Sequence, residues 1–291
     1  MNLFNVIEQI EKVDPEFNER ISPRRDAIKN ITSFGSKVTV AALPFALGTI
    51  FKKAYGAAST TSVTDVLNFA LKLEYLESYF YNQGAASSGL IPAGDNAYLS
   101  VITSDENKHV AFLKTVISSL NATPVDSPTF DLTAGGGTHN GPFKDVLTNY
   151  QTFLAVAETF EDTGVRAYKG QAGNLLGNQV VLTAALSIHA VEARHASAIR
   201  YLRASKYNAK ITPWISSTAL LGNDTGIALV DGNYAGEAKV TQATVDVSKL
   251  PGATSGSTIG VTAATAAFDE PLDMDAVLAL LAGSFIVTTP A

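Results

Sequence analysis

The chain has 291 residues, of which 46% are hydrophobic and 16% charged, a composition typical of a packed globular protein and not of a disordered one. Its net charge of −6 and the lack of a basic cluster argue against nucleic acid as a partner. Cysteine is absent, which excludes disulfides, thiol catalysis and iron–sulfur clusters. Any metal must therefore be bound by carboxylate and imidazole groups, which suit iron, manganese or zinc.

The first predicted unit is an N-terminal segment, residues 1–58. Arg24 and Arg25 precede an apolar run over 31–51, and small residues follow it. This order resembles a twin-arginine export signal with cleavage near Ala58. The run is too interrupted for a membrane span, so we expect no stable span in the mature protein. The signal predicts a periplasmic or exported protein; if the arginines only lie on a surface helix, the protein is cytoplasmic.

Residues 59–206 are predicted to form four long helices. The first, Val66–Tyr81, follows several N-cap candidates between 61 and 65. The second covers about 96–120, the third about 143–170 and the fourth about 179–205. Residues 121–141 contain prolines, glycines and little periodicity, which predicts a long crossover between helices 2 and 3. The apolar face of the second helix is assigned to Val101, Ile102, Phe112, Leu113, Val116 and Ile117.

The remaining residues, 207–291, are predicted to form an irregular extension that packs on the bundle. Glycine, threonine, serine, alanine and valine dominate its first part, and Ala238–Val247 alternates as in a small β-hairpin. A closing helix is predicted over Leu272–Ile286, because Pro271 and two preceding acidic residues are typical of a helix start. Leu278, Leu281 and Phe285 would then dock on the bundle.

Two helices of the predicted bundle carry a Glu-x-x-His pair. A Glu and a His three residues apart lie on the same face of a helix. Each pair follows a helix that carries Glu-x6-Tyr. The two Glu-x6-Tyr motifs are 87 residues apart in the sequence, and the two Glu-x-x-His motifs are 86 residues apart. The chain therefore contains a duplicated helix pair with its polar residues in register: Glu74, Tyr81, Glu106 and His109 correspond to Glu161, Tyr168, Glu192 and His195.

Four ionised glutamates inside one bundle require compensating charge, because buried carboxylates are costly unless they are paired or bind a cation. Two divalent transition metals would neutralise them. We therefore predict two iron or manganese ions, with zinc as a substitute, and no catalytic residues beyond the ligands. The predicted ligands are Glu74, Glu106, His109, Glu161, Glu192 and His195, with Tyr81 and Tyr168 as hydrogen-bond donors to the carboxylates.

Five neighbouring polar residues are not assigned as ligands. Glu77 and Glu158 fall on Gly164 and Leu71 under the 87-residue offset, so neither is duplicated. Both are expected either to lie on the surface or to contact the ligand residues without binding metal themselves. Asp105 and Asp162 flank ligands and are expected to point away, and His189 lies off the face of His195 and is expected to be structural.

The helix pattern and the six residues together resemble the ferritin-like superfamily, in which two helices each supply a Glu and two supply Glu-x-x-His. A closer resemblance, to desiccation-related ferritin-like domain proteins, is carried by residues 67–77 (LNFALKLEYLE), 160–165 (FEDTGV) and 268–272 (FDEPL). The resemblance implies an all-α four-helix bundle. It also implies that Glu74 and His109 serve one metal, Glu161 and His195 the other, and that Glu106 and Glu192 bridge the two.

The expected function is redox chemistry on O₂ or peroxide with a separate reductant, in protection from oxidative or desiccation stress. Ferroxidase, peroxidase and catalase-like reactions all fit the spacing, and the resemblance favours stress protection over biosynthetic hydroxylation. The alternatives are a non-enzymatic iron-binding protein and a structural stress protein whose metal site is vestigial. Assembly into a homo-oligomer is compatible with each of them.

Overall fold

The computed structural model describes residues 61–207, 209–215, 232–242 and 244–288. The predicted export signal lies outside these residues. Within the described part of the chain, no helix combines the length and the apolar character that crossing a membrane requires.

Four long helices form the bundle, and the predicted all-α four-helix bundle is confirmed. Helices α1 and α2 form one close antiparallel pair, and α3 and α4 form the other. The long connection lies between α2 and α3, as predicted, whereas α3 and α4 are joined by a short turn that includes a 3-10 segment, Gly173–Leu175. The helices are α1, Val63–Ala86; α2, Asn96–Ser119; α3, Tyr150–Ala172; and α4, Gln179–Tyr207.

Two helix starts differ from prediction because of their caps. Helix α1 begins at Val63, earlier than predicted, since Ser62 and Asp65 form a capping box in which each side chain accepts from the other's backbone N–H. Helix α3 begins at Tyr150 and not near 143. The side chain of Asn149 accepts from the backbone of the first turn, and residues 143–148 form turns before it.

The apolar face predicted for α2 is partly wrong. Val101 and Phe112 are 58% and 42% exposed, because only one of two adjacent residues on a helix can point at the core. The buried stripe instead carries polar residues in its middle. Its members are Leu99, Ile102, Glu106, His109, Leu113 and Ile117.

The crossover is folded around the buried carboxylate of Asp131. It accepts backbone hydrogen bonds from Thr133, Gly137 and His139 at 2.9–3.0 Å. The backbone N–H of Asp131 donates to Phe285 O, which ties the crossover to the end of the chain.

The described residues of the extension form a hairpin, two short helices and two 3-10 turns. Strands β1 (Thr241–Gln242) and β2 (Val245–Asp246) pair antiparallel within the stretch predicted to be a hairpin. The 3-10 turns are Gly232–Tyr234 and Val247–Lys249, and the helices are α5 (Val261–Thr265) and α6 (Met274–Leu281).

The closing helix α6 is shorter than the predicted Leu272–Ile286. Its N-cap is Asp273, whose side chain accepts from Ala276 N at 2.8 Å, so the helix starts after Pro271. It ends before Gly283, whose φ of 73° turns the backbone out of the helix. Leu281 and Phe285 are buried, and Leu278 is half-buried.

Two buried arginines anchor the extension to the bundle. Arg166 of α3 donates to Glu270 O at 2.6 Å and pairs with the Glu237 carboxylate at 2.9 Å. Arg200 of α4 donates to Thr212 O at 3.3 Å and pairs with Asp162 at 2.5 Å. Each guanidinium therefore satisfies backbone carbonyls of the extension while its charge is neutralised by a buried carboxylate.

Candidate metal centre

All six predicted ligands lie together inside the bundle. The four glutamates are fully buried, and His109 and His195 are 8% and 5% exposed. The residues form two groups of four in which one ligand atom from each residue lies within 4.8 Å of the others. The first group is Glu74, Glu106, His109 and Glu192; the second is Glu106, Glu161, Glu192 and His195.

The close contacts of the imidazoles follow from the helical geometry. On α2 the three-residue spacing places His109 Nδ1 3.1 Å from Glu106 Oε2, and the packing of α1 brings Glu74 Oε2 to the same distance. On the other side His195 Nδ1 lies 2.8 Å from Glu106 Oε1 and 3.4 Å from Glu161 Oε2. Each imidazole thus faces carboxylates of a neighbouring helix.

The donor set fits a cation. Within the described residues, Glu106 Oε1, Glu161 Oε2 and both carboxylate oxygens of Glu192 are buried and accept no hydrogen bond of acceptable geometry, although an imidazole nitrogen lies within 3.4 Å of three of them. Buried acceptors that stay unsatisfied cost on the order of 1–3 kcal/mol each, and more when charged. Carboxylate oxygens and imidazole nitrogens are ligands for iron, manganese and zinc, so bound cations would remove this penalty.

The electrostatics show how strongly the site attracts positive charge. Burial raises the pKa of Glu106, Glu161 and Glu192. Burial alone would lower the pKa of His195, but the Glu161 and Glu106 carboxylates raise it to about 11. All of these shifts favour bound protons in the site, so a cation that binds there competes with protons for the same groups.

The two tyrosines donate hydrogen bonds across the bundle. Tyr81 of α1 donates to Glu161 Oε1 of α3 at 2.5 Å, and Tyr168 of α3 donates to Glu74 Oε1 of α1. Each tyrosine therefore orients the glutamate of the opposite helix and not that of its own. Burial and the adjacent glutamate raise the pKa of both phenols well above the ordinary value, which keeps them protonated as donors.

Glu77 is buried against the cluster, so its expected surface alternative is wrong. It is 3% exposed, and burial followed by the charges of Glu192 and Glu106 raises its pKa well above the ordinary value. A Cβ atom on Gly164 would lie 3.2 Å from both Glu77 Oε1 and Glu192 Oε2. Gly164 is the residue that corresponds to Glu77 under the 87-residue offset. Because it has no side chain, it leaves room for the Glu77 carboxyl group.

The other neighbours belong to the surrounding structure. Glu158 is also buried, paired with Arg203 at 2.5 Å, and Asp162 faces Arg200 and not the cluster. Asp105 does not point fully away, since its Oδ2 lies 3.6 Å from His195 Nε2.

His189 has a structural contact. Its Nδ1 lies 3.0 Å from the Val165 carbonyl oxygen, which accounts for one ring nitrogen through the backbone of α3. His139 lies in the crossover with its ring exposed and its Nδ1 3.5 Å from Asp131. Neither histidine belongs to the two groups of potential ligands.

A four-helix bundle with one long crossover is the architecture of the ferritin-like class, and the buried carboxylates and imidazoles at its centre are compatible with metal binding. Residues 62–205 match the family model described as ferritin-like domain. The chain thus belongs to the ferritin-like superfamily. A search of curated proteins finds no match to the sequence. The closer resemblance to desiccation-related proteins stays a prediction.

Proposed function

We propose that the protein is a dinuclear metal–carboxylate redox protein that binds two iron or two manganese ions and reacts with O₂ or peroxide. The observation that carries this proposal is the sharing of Glu106 and Glu192 by both groups of potential ligands. Sharing two carboxylates between two adjacent positions is the arrangement that bridging ligands require. Four glutamates would neutralise two divalent ions, so the loaded site would carry no net charge.

The chain's residues have distinct roles in this proposal. Glu74 and His109 would hold one ion, Glu161 and His195 would hold the other, and Glu106 and Glu192 would serve both ions. Tyr81 and Tyr168 fix the carboxylates of Glu161 and Glu74 through hydrogen bonds from the facing helix. The apolar bundle around them excludes bulk water from the site.

Two bound ions would together supply two electrons as each passes from the +2 to the +3 state. Two electrons and two protons reduce O₂ to hydrogen peroxide, or hydrogen peroxide to two water molecules. A separate reductant must then return the electrons. We further propose that this chemistry protects the cell from oxidative or desiccation stress, in the periplasm or outside the cell if the arginine pair is an export signal.

Metal analysis of the purified full chain tests the proposal. We expect two transition-metal ions per chain, and their loss in the double variant Glu106→Gln/Glu192→Gln, whose side chains keep their size but lose their charge. Glu158→Gln is the matched control, because Glu158 is equally buried but faces Arg203 and Arg200. Full metal content in the double variant, or one ion per chain in the wild type, would contradict a dinuclear site.

Redox function needs a separate test. Fe²⁺ or Mn²⁺ bound to the wild-type chain should be oxidised by O₂ or H₂O₂ faster than the free ion, followed by absorbance in stopped flow. A protein that binds two ions but accelerates neither reaction would be the non-enzymatic metal-binding alternative.

A further inference from the structure

An apolar cavity lies between the four helices of the bundle. The volume of the cavity is about 20 Å³. This exceeds the roughly 10–15 Å³ that a single water molecule needs. All four helices line the cavity, with Ala70 from α1, Phe112 and Leu113 from α2, Tyr168 from α3, and Ala185 and Ile188 from α4.

The cavity lies one helical turn from one side of the candidate metal centre. Ala70 precedes Glu74 by four residues, Leu113 follows His109 by four, and Ile188 precedes Glu192 by four. These three ligands belong to the first group of potential ligands. Tyr168 connects the two spaces directly, because it lines the cavity and its hydroxyl donates to Glu74.

The cavity offers almost nothing to a polar guest. Of its polar lining residues, Tyr168 already donates to Glu74, and Gln171 Oε1 accepts from Asn174 Nδ2 at 2.8 Å. Water and hydrogen peroxide would give up their hydrogen bonds to enter, whereas dioxygen has none to lose. Empty cavities in proteins are apolar, and larger examples stay dry and take up xenon.

We propose that this cavity admits dioxygen and holds it beside Glu74 and His109, so that O₂ reaches the metal centre through it and peroxide does not. The inference rests on the proposed redox function and narrows it. Two of the lining residues are open to solvent: Phe112 of α2 is 42% exposed and Ala184 of α4 is half-buried, so we place the entrance between these two helices.

The test uses the full chain and the variant Ala184→Phe, which places an aromatic ring at the entrance. Ala204→Phe is the matched control: it makes the same change at another half-buried position of α4, more than two turns beyond His195 and away from the cavity. Thermal unfolding of both variants first establishes that they fold like the wild type. If Ala184→Phe does not fold, Ala184→Leu replaces it.

The first measurement is xenon binding, by ¹²⁹Xe NMR or in crystals under xenon pressure. We expect xenon in the cavity of the wild type and of Ala204→Phe, and its exclusion from Ala184→Phe. Absence of xenon from the wild-type cavity would overturn the inference whatever the redox activity.

The second measurement compares the two oxidants on metal-loaded protein. We expect the second-order rate with O₂ to fall roughly tenfold in Ala184→Phe, equivalent to about 1.4 kcal/mol of barrier, and the rate with H₂O₂ to stay unchanged. A wild type that reacts with O₂ but is insensitive to Ala184→Phe overturns the inference alone, as does an equal loss with both oxidants. A wild type that reacts with neither oxidant overturns the proposed function and the inference with it.

Discussion

Gly164 is a single residue on which the shape of the metal centre depends. Because a Cβ atom there would crowd Glu192 and Glu77 at 3.2 Å, Gly164→Ala should displace a proposed bridging carboxylate by a few tenths of an ångström. Alanine also favours a helix over glycine by about 1 kcal/mol. We therefore expect metal affinity to fall while the stability of the metal-free protein is unchanged or higher.

Isothermal titration with Mn²⁺, alongside chemical denaturation of the metal-free chain, would separate the two effects of Gly164→Ala. A second change, Glu77→Ala, removes the competing carboxyl group and should restore part of the affinity. If Gly164→Ala leaves the Mn²⁺ affinity unchanged, metal binding does not depend on the position of the Glu192 carboxylate.

The two tyrosines allow a paired prediction. Tyr81→Phe removes the hydrogen bond donated to Glu161, and Tyr168→Phe removes the one donated to Glu74. Loss of such an orienting donor typically weakens metal binding roughly 10–100-fold. Competition with a coloured chelator should show a decrease of that size in each variant. A decrease in only one of them would mean that the duplicated halves bind metal unequally.

At the scale of elements, the crossover depends on the carboxylate of Asp131. Burial alone would raise its pKa, but hydrogen bonds from Thr133, His139 and Gly137 hold that pKa at about 2. This value is below the pKa of about 3.9 for an aspartate in an unfolded chain. The carboxylate therefore stabilises the fold above about pH 4, and this stabilisation is lost as the pH falls towards 2.

Asp131→Asn should consequently destabilise the protein at neutral pH, by roughly 1–3 kcal/mol, because an amide nitrogen cannot accept the backbone hydrogen bonds. Urea unfolding of the wild type and the variant at pH 7 and at about pH 2.5 measures the difference. The difference in the free energy of unfolding should be smaller at the lower pH, because part of the stabilisation is already lost there; a constant difference at both would rule out the ionised carboxylate as the cause.

The elements also show how far the sequence can be interpreted. Existence, order and approximate length of the four helices were predictable, because Glu-x-x-His and Glu-x6-Tyr recur in register. The start of α3 was not, since the apolar residues around Phe143 continue the pattern of the helix while Asn149 supplies the cap. The burial of Glu77 and Glu158 was not predictable either. Gly164 and Arg203 lie on other helices and come close to these glutamates only when the helices pack.

On the scale of the whole molecule, Arg166 connects the bundle to the extension. Arg166→Met would leave Glu237 buried without its partner, and breaking a buried pair costs roughly 3–5 kcal/mol. Because the same guanidinium holds the Glu270 carbonyl oxygen, the extension should also detach. We expect a lower midpoint in urea and faster proteolysis after residue 207. The double variant Arg166→Met/Glu237→Leu should recover much of the stability, and failure to do so would indicate that the backbone contacts dominate.

The placement of the Glu77 carboxyl group beside Gly164 has a consequence for the electronic structure of a bound metal pair. The six proposed ligands are arranged as a near two-fold repeat, but the fifth buried carboxyl group has no counterpart on the opposite helix. Two iron ions in this site would therefore experience different fields and differ in reduction potential, so that one particular ion would lose its electron first. Mössbauer spectra of the ⁵⁷Fe-loaded protein should show two quadrupole doublets of equal area, and Glu77→Gln should bring them closer together. A single doublet in the wild type would mean that the asymmetry does not reach the metals.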